Sequence, residues 1–214
     1  NAPDDLLRLG RPRLFAGVTA GALDSMLAHY TAFRKKRSDD AYTPGGLAGA
    51  RPNRATIVYT SLVRAAFPGL PVVIGGIEAS LRRASHYDFW TDAVRRSLLL
   101  DAKADLLVYG MGERAILEIA QRLAAQPEDS AHALRGIRGT AFALRTGESA
   151  ETFADARHLR TLPSHEDIVA KPAALMTATL ILEEQVHNGT FWTAQETGGR
   201  TVLIAPPAAA LETP

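Results

Sequence analysis

Pro71-Val72-Val73-Ile74-Gly75-Gly76 and Asp105-Leu106-Leu107-Val108-Tyr109-Gly110 decide the fold class. Each is an unbroken apolar run closed by glycine. A strand with one face in water alternates apolar and polar residues. A strand that stays apolar throughout is buried on both faces, as in a parallel sheet sandwiched by helices. Leu14-Phe15-Ala16-Gly17-Val18-Thr19 is a third run of this kind. Between the runs the spacing turns helical. Met26, Leu27, Tyr30 and Phe33 predict a helix over 24–36, and Ile57, Leu62, Val63, Ala66 and Phe67 one over 56–67. Residues 91–100 read as another helix, and Ile116, Ile119, Ala120 and Leu123 predict one over 114–125. Alternating strands and helices imply an α/β fold with a mainly parallel sheet, flanking helices and right-handed crossovers. Residues 39–53, rich in Gly, Pro, Asp and Arg, read as an irregular loop.

The pattern changes after Gln126, which divides the chain into an α/β unit over 3–126 and a linker with a smaller α+β extension over 127–214. In the second part 140–145 reads as a strand and 147–157 as a loop. Ser164 is placed to cap the backbone N–H of Asp167 at a helix start. Pro172 interrupts or restarts that helix, which runs on through Leu175, Ala178, Thr179, Leu182 and Val186 and stops at Asn188-Gly189. Thr201-Val202-Leu203-Ile204 reads as a strand ended by Pro206-Pro207.

Composition narrows the function. The 214 residues carry a formal net charge of +1, so no global field draws nucleic acid. The local clusters Arg34–Arg37, Arg82-Arg83 and Arg95-Arg96 lack aromatic interleaving and read as solvated faces or anion-facing loops. There is no cysteine, which excludes disulfides, thiolate nucleophiles, zinc–thiolate sites and cysteine-ligated clusters within this chain. No apolar run approaches a membrane span and no signal peptide opens the chain, so a cytoplasmic setting is expected, with neither membrane nor nucleic acid as partner. Asn at position 1 and the unpunctuated end at Pro214 predict a piece of a longer polypeptide.

In an open parallel sheet, ligands bind beyond the carboxyl ends of the strands. Three such ends are glycine-rich or polar: Thr19-Ala20-Gly21, the stretch from Gly75 to Arg83, and Gly110-Met111-Gly112-Glu113-Arg114. Glycine lets backbone approach a ligand closely. Gly75, Gly76, Glu78, Ser80, Arg82, Gly110, Gly112 and Glu113 are therefore the candidate binding residues. Each glycine alone is better explained by a tight turn; their convergence on one sheet edge favours a cleft. Gly110-x-Gly112 is not the dinucleotide fingerprint, because Glu113 stands where a phosphate would lie. His86-Tyr87-Asp88-Phe89-Trp90 offers two metal-ligand types but reads better as a packing or docking segment. The remaining histidines are scattered, and neither GxSxG nor GxxxxGK[ST] occurs. No nucleophile, base and orienter come together, so no catalytic residue is assigned.

The loop sequences, in order, resemble a known family. Leu14–Gly21, Asp39-Asp40-Ala41-Tyr42-Thr43-Pro44, Arg51-Pro52-Asn53-Arg54-Ala55-Thr56, Gly75-Gly76-Ile77-Glu78-Ala79-Ser80-Leu81-Arg82-Arg83, His86–Trp90 and Ala104–Arg114 are similar to the N-terminal region of the YgiQ-type radical SAM proteins. The likeness is dense from about Leu9 to Leu123 and returns at Leu162-Pro163-Ser164 and Ala205-Pro206-Pro207. It implies a Rossmann-like, cobalamin-binding-type domain, incomplete at its N-terminal side, joined to a radical SAM barrel. The barrel would hold a [4Fe–4S] cluster on a CxxxCxxC triplet and cleave S-adenosylmethionine. That triplet is missing here, so neither group is expected on this chain. The resemblance does not extend to a cobalamin site, whose loop would precede the first strand. It implies an accessory or capping domain whose partner is the protein's own barrel, with self-association through the open sheet edge as a further expectation. Replacing Glu78 or Glu113 in the full-length protein would then lower turnover without unfolding. A free-standing nucleotide, phosphate or corrinoid module, or a docking scaffold using His86–Trp90, are the alternatives.

Overall fold

A computed structural model describes residues 2–211. The strands are β1 (Ala16–Thr19), β2 (Val72–Gly75), β3 (His86–Asp88), β4 (Ala93–Arg95), β5 (Leu106–Val108), β6 (Thr140–Ala143), β7 (Leu159–Thr161), β8 (Trp192–Thr197) and β9 (Arg200–Ile204). The helices are α1 (Pro3–Leu7), α2 (Ser25–His29), α3 (Ala55–Ala66), α4 (Gly76–Leu81), α5 (Leu98–Asp101), α6 (Glu113–Ala125), α7 (Ser130–Ala133), α8 (His165–Ala170) and α9 (Ala173–Asn188). Seven strands form one mixed sheet in the order β1-β2-β5-β6-β9-β8-β7, and β3 and β4 make a separate hairpin. β1, β2 and β5 run parallel, and β7 is parallel to β8. β6 is antiparallel to β5, β9 to β6 and β8 to β9.

Two apolar layers explain why the central strands are apolar at every position. Val72 and Ile74 face one layer with Val63 of α3, Phe67 just after it and Leu98–Leu100 of α5; Val73 faces the other, with Ile119 and Leu123 of α6. β5 divides the same way, Leu107 to one side and Leu106 and Val108 to the other. Successive side chains of a strand point to opposite faces, so a sheet covered twice needs an apolar residue each time. The sheet is continuous through both parts of the sequence, since Phe142 and Leu203 join the α6 layer, and Ala141, Val202 and Ile204 the other.

Two predicted helices fold otherwise. The one expected over 24–36 ends at His29. Tyr30 is extended, Arg34 has φ 59°, and a tight reversal pairs Thr31 N with Lys35 O (2.9 Å) and Arg37 N with His29 O (2.8 Å). Continuing the helix would set Arg34 and Arg37 on one face with no acid between them. Phe33, placed by its spacing on a buried face, is 87% exposed. The stretch 91–100 makes β4 and the short α5 instead of a single helix. Asp88 accepts from Thr91 Oγ1 (2.8 Å) and Trp90 N (3.2 Å), and Tyr87 donates to Asp92 (2.6 Å). Such side-chain bonds compete with a helical turn, and Asp92 takes φ 53°. α5 starts only after Ser97, which accepts from Leu99 N (3.3 Å).

Helices α3, α6, α8 and α9 follow the expectation, whereas α4 and α7 have no counterpart in it. α3 and α6 match their predicted spans to a residue at either end. Ser164 caps Asp167 N (3.0 Å), with Asp167 bonding back to Ser164 N (3.2 Å). Gly189, at φ 63°, stops α9. No described helix is long and apolar enough to cross a membrane.

Candidate functional site

The three glycine-bearing loops meet at the carboxyl edge of β1, β2 and β5. Gly76 begins α4 at φ 80°, and an added Cβ would come within 2.4 Å of Thr19 Oγ1. Ser80 Oγ accepts from Gly110 N (3.1 Å), tying the second loop to the third. Gly110 has φ 68°, and Gly112 precedes the first residue of α6, Glu113. Glu113 is exposed at that helix start, where a negative charge is favoured by the helix dipole. Six of the eight predicted binding residues, Gly75, Gly76, Ser80, Gly110, Gly112 and Glu113, thus share one edge. Ile77, Leu81 and Met111 stand among them with 46%, 62% and 54% of their surfaces exposed.

The other two turn inward. Glu78 is only 3% exposed, and its carboxylate is fully engaged within the fold. Oε2 accepts from Ser25 N (2.9 Å) and Ser25 Oγ (2.6 Å), and Oε1 accepts from Thr56 N (3.1 Å). Ser25 Oγ in turn accepts from Ala55 N (3.0 Å). The reason lies at the start of α3. The residue before it, Arg54, is left-handed at φ 51° and offers no capping side chain, so the free N–H groups of Ala55 and Thr56 are satisfied from α2 and α4. Arg82 ion-pairs with Asp24, a fully buried residue whose Oδ1 accepts from Met26 N (2.9 Å) and Leu27 N (3.1 Å) at the start of α2. Asp24, Ser25 and Thr56 were not among the predicted residues. The visible signal was an Asp-Ser pair just before Met26-Leu27, a helix-start pattern.

Beside this bracket the hairpin of β3 and β4 is held by charge. Asp88 pairs with Arg54 at 2.5 Å, and Asp101 with Arg95 and Arg96 at 2.7 Å each. Burial raises the pKa of both carboxyls, but hydrogen bonds from the arginines outweigh it and hold them below the ordinary range. A cavity of about 10 Å³ lies between Arg54, Glu78, Arg82, His86, Asp88 and Arg95, room for about one water and no organic ligand. Tyr30 packs on Trp90 with ring centroids 4.0 Å apart, so the aromatic stretch is anchored to the fold. Among the described residues no group of three or more His, Asp or Glu is arranged to hold a metal.

Burial lowers the pKa of His86 to about 4; the bond from its Nδ1–H to Ala84 O (3.2 Å) opposes this, and the charges of Arg82 and Arg95 add to it. An unfolded histidine titrates near 6.5, so the folded state binds fewer protons between the two values. The His86 contribution is complete above pH 6.5 and is lost as the pH falls toward 4. A loss of about 2–3 kcal/mol is expected across that window. Urea melts at pH 7 and pH 4.5 check it: His86→Asn should flatten the difference, and an unchanged difference would assign the acid lability elsewhere.

The chain is similar to known proteins. The model of the radical SAM N-terminal family matches residues 1–214. A UPF0313 protein of Geobacter sulfurreducens is 53% identical over 210 residues, covering 98% of this chain and 34% of that protein. The UPF0313 protein YgiQ of Salmonella typhimurium is 49% identical over 172 residues, 80% of this chain and 23% of that protein. A UPF0313 protein of Thermotoga maritima is 62% identical over 134 residues, 62% of this chain and 24% of that protein. The chain therefore spans about a third or less of the length of these relatives. No solved structure matches. With the family model covering residues 1–214 and a UPF0313 relative 53% identical over 98% of this chain, the chain belongs to the radical SAM N-terminal family, the N-terminal region of the UPF0313 (YgiQ) proteins.

Proposed function

We propose that this chain is the non-catalytic N-terminal module of a radical SAM enzyme, and that the edge bearing Gly76, Ser80, Gly110 and Glu113 caps the domain that carries the chemistry. Radical SAM chemistry needs a [4Fe–4S] cluster ligated by three thiolates, and this chain has no cysteine. The residues present do not fit a cluster, and no reaction step runs through them. The observation that carries the reading is the exposed apolar trio Ile77, Leu81 and Met111, placed among the glycine tips of a chain that spans only a third of its relative. Apolar residues gathered at a loop edge suit a surface covered by another part of the polypeptide. Glu113 adds an unburied carboxylate on the same edge.

In the full-length protein, the pair Ile77→Asp and Leu81→Asp is expected to slow S-adenosylmethionine cleavage by about ten-fold or more, the loss of one well-packed interface anchor. The same pair in the 214-residue chain should leave its far-ultraviolet circular dichroism unchanged, since both side chains already face solvent. Cleavage at the parent rate would remove this edge from the domain contact.

A further inference from the structure

The opposite edge of the sheet, at the amino ends of β2 and β5, holds a cavity of about 860 Å³. It arises where the sheet changes direction. β6 is antiparallel to β5, so the end of β6 and the β8–β9 turn arrive where β2 and β5 begin. Four arginines, Arg64, Arg135, Arg145 and Arg200, line it against two carboxylates, Asp105 and Glu148.

Both carboxylates are already in use. Asp105 accepts from Arg64 Nη2 (3.0 Å) and Val72 N (2.8 Å). Glu148 accepts from Arg145 N (2.7 Å) and lies 3.4 Å from Arg135 Nε. The lining thus carries two positive charges beyond its acids. The Arg145 and Arg200 side chains are exposed and have no hydrogen bond or ion pair among the described residues. Arg135 is 8% exposed, stacks 4.6 Å over Phe142, and its buried Nε lacks a hydrogen-bond partner. Glu148, 3.4 Å from that Nε, supplies its counter-charge, so Arg135 is a cation fixed in the wall.

We propose that this cavity binds a small organic phosphate, with Arg145 and Arg200 gripping the phosphate oxygens and Arg135 as the fixed cation in the wall. Guanidinium forks match phosphate oxygens in pairs. The cavity has the size of a small-molecule site, far larger than inorganic phosphate needs. Leu70, Leu134 and Leu144 supply an apolar wall for the organic part. This proposal is independent of the capping role assigned to the other edge.

Isothermal titration of the 214-residue chain with pyrophosphate and with ATP, at constant ionic strength set by chloride, tests it. Both should bind, ATP about ten-fold more tightly through the apolar wall. The double variant Arg145→Ala/Arg200→Ala should weaken both by at least about ten-fold, since charge-assisted bonds to each guanidinium are removed. Its thermal melt should match the parent's, because neither side chain holds the fold together. Absence of heat with either probe, or equal affinity in the double variant, overturns the proposal.

Discussion

Gly76→Ala is expected to destabilise the chain by about 3 kcal/mol. Two costs combine. A left-handed backbone costs an L residue about 1–2 kcal/mol, and forcing a methyl into a filled contact typically costs about 1–3 kcal/mol. The contact here is Thr19 Oγ1, within 2.4 Å of the new Cβ, with Thr19 Cβ behind it at 3.4 Å. For a chain of this size the melting temperature should fall by roughly 6–12 °C. Removing the hydroxyl with Thr19→Ala should recover the steric part and leave the backbone part. A double-mutant cycle measured by urea unfolding should therefore show a coupling of about 1–2 kcal/mol. Strict additivity would mean that the two loops do not touch as described.

Glu78→Ala has the largest expected effect, about 4 kcal/mol. It strips the acceptor from the buried donors Ser25 N, Ser25 Oγ and Thr56 N at once, each orphan costing about 1–3 kcal/mol, less than additively. The family resemblance implies that such a variant impairs function and leaves the fold intact; burial of the Glu78 carboxylate makes the fold the first casualty instead, and of the two acids only Glu113 is exposed. Glu78→Gln should not rescue stability, because its amide NH₂ would face N–H donors on one side of the bracket. Amide exchange of Ser25 and Thr56 should accelerate together in both variants. A Glu78→Ala protein that melts with the parent would show that the carboxylate does not hold α2 and α3 in place.

The sequence made the doubly covered strands legible because burial on two faces leaves a continuous trace in residue type, as in Val72-Val73-Ile74 and Leu106-Leu107-Val108. It made the glycine edge legible because close backbone approach excludes a side chain at Gly76. β8 left no such trace. Trp192-Thr193-Ala194-Gln195-Glu196-Thr197 is mostly polar, and Gln195 is buried by bonding Ser85 N (2.7 Å) and Pro163 O (3.0 Å), partners remote in sequence. The readable clue was Gly198-Gly199, both at positive φ, which makes the two-residue hairpin turn into β9. The inward turn of Glu78 was hidden for the same reason. A carboxylate at a helix start looks alike whether it meets a ligand or caps a neighbouring helix, and only the left-handed Arg54 decides between them.

The last strand of this sheet in chain order, β9, lies between β6 and β8 rather than at a margin. Until Ile204 has emerged, the chain holds two unjoined ribbons, β1-β2-β5-β6 and β7-β8, each with a bare flank of amide and carbonyl groups. The sheet is therefore completed by a wedge driven into its middle. Nascent polypeptide halted before that point carries sticky margins that a finished molecule conceals.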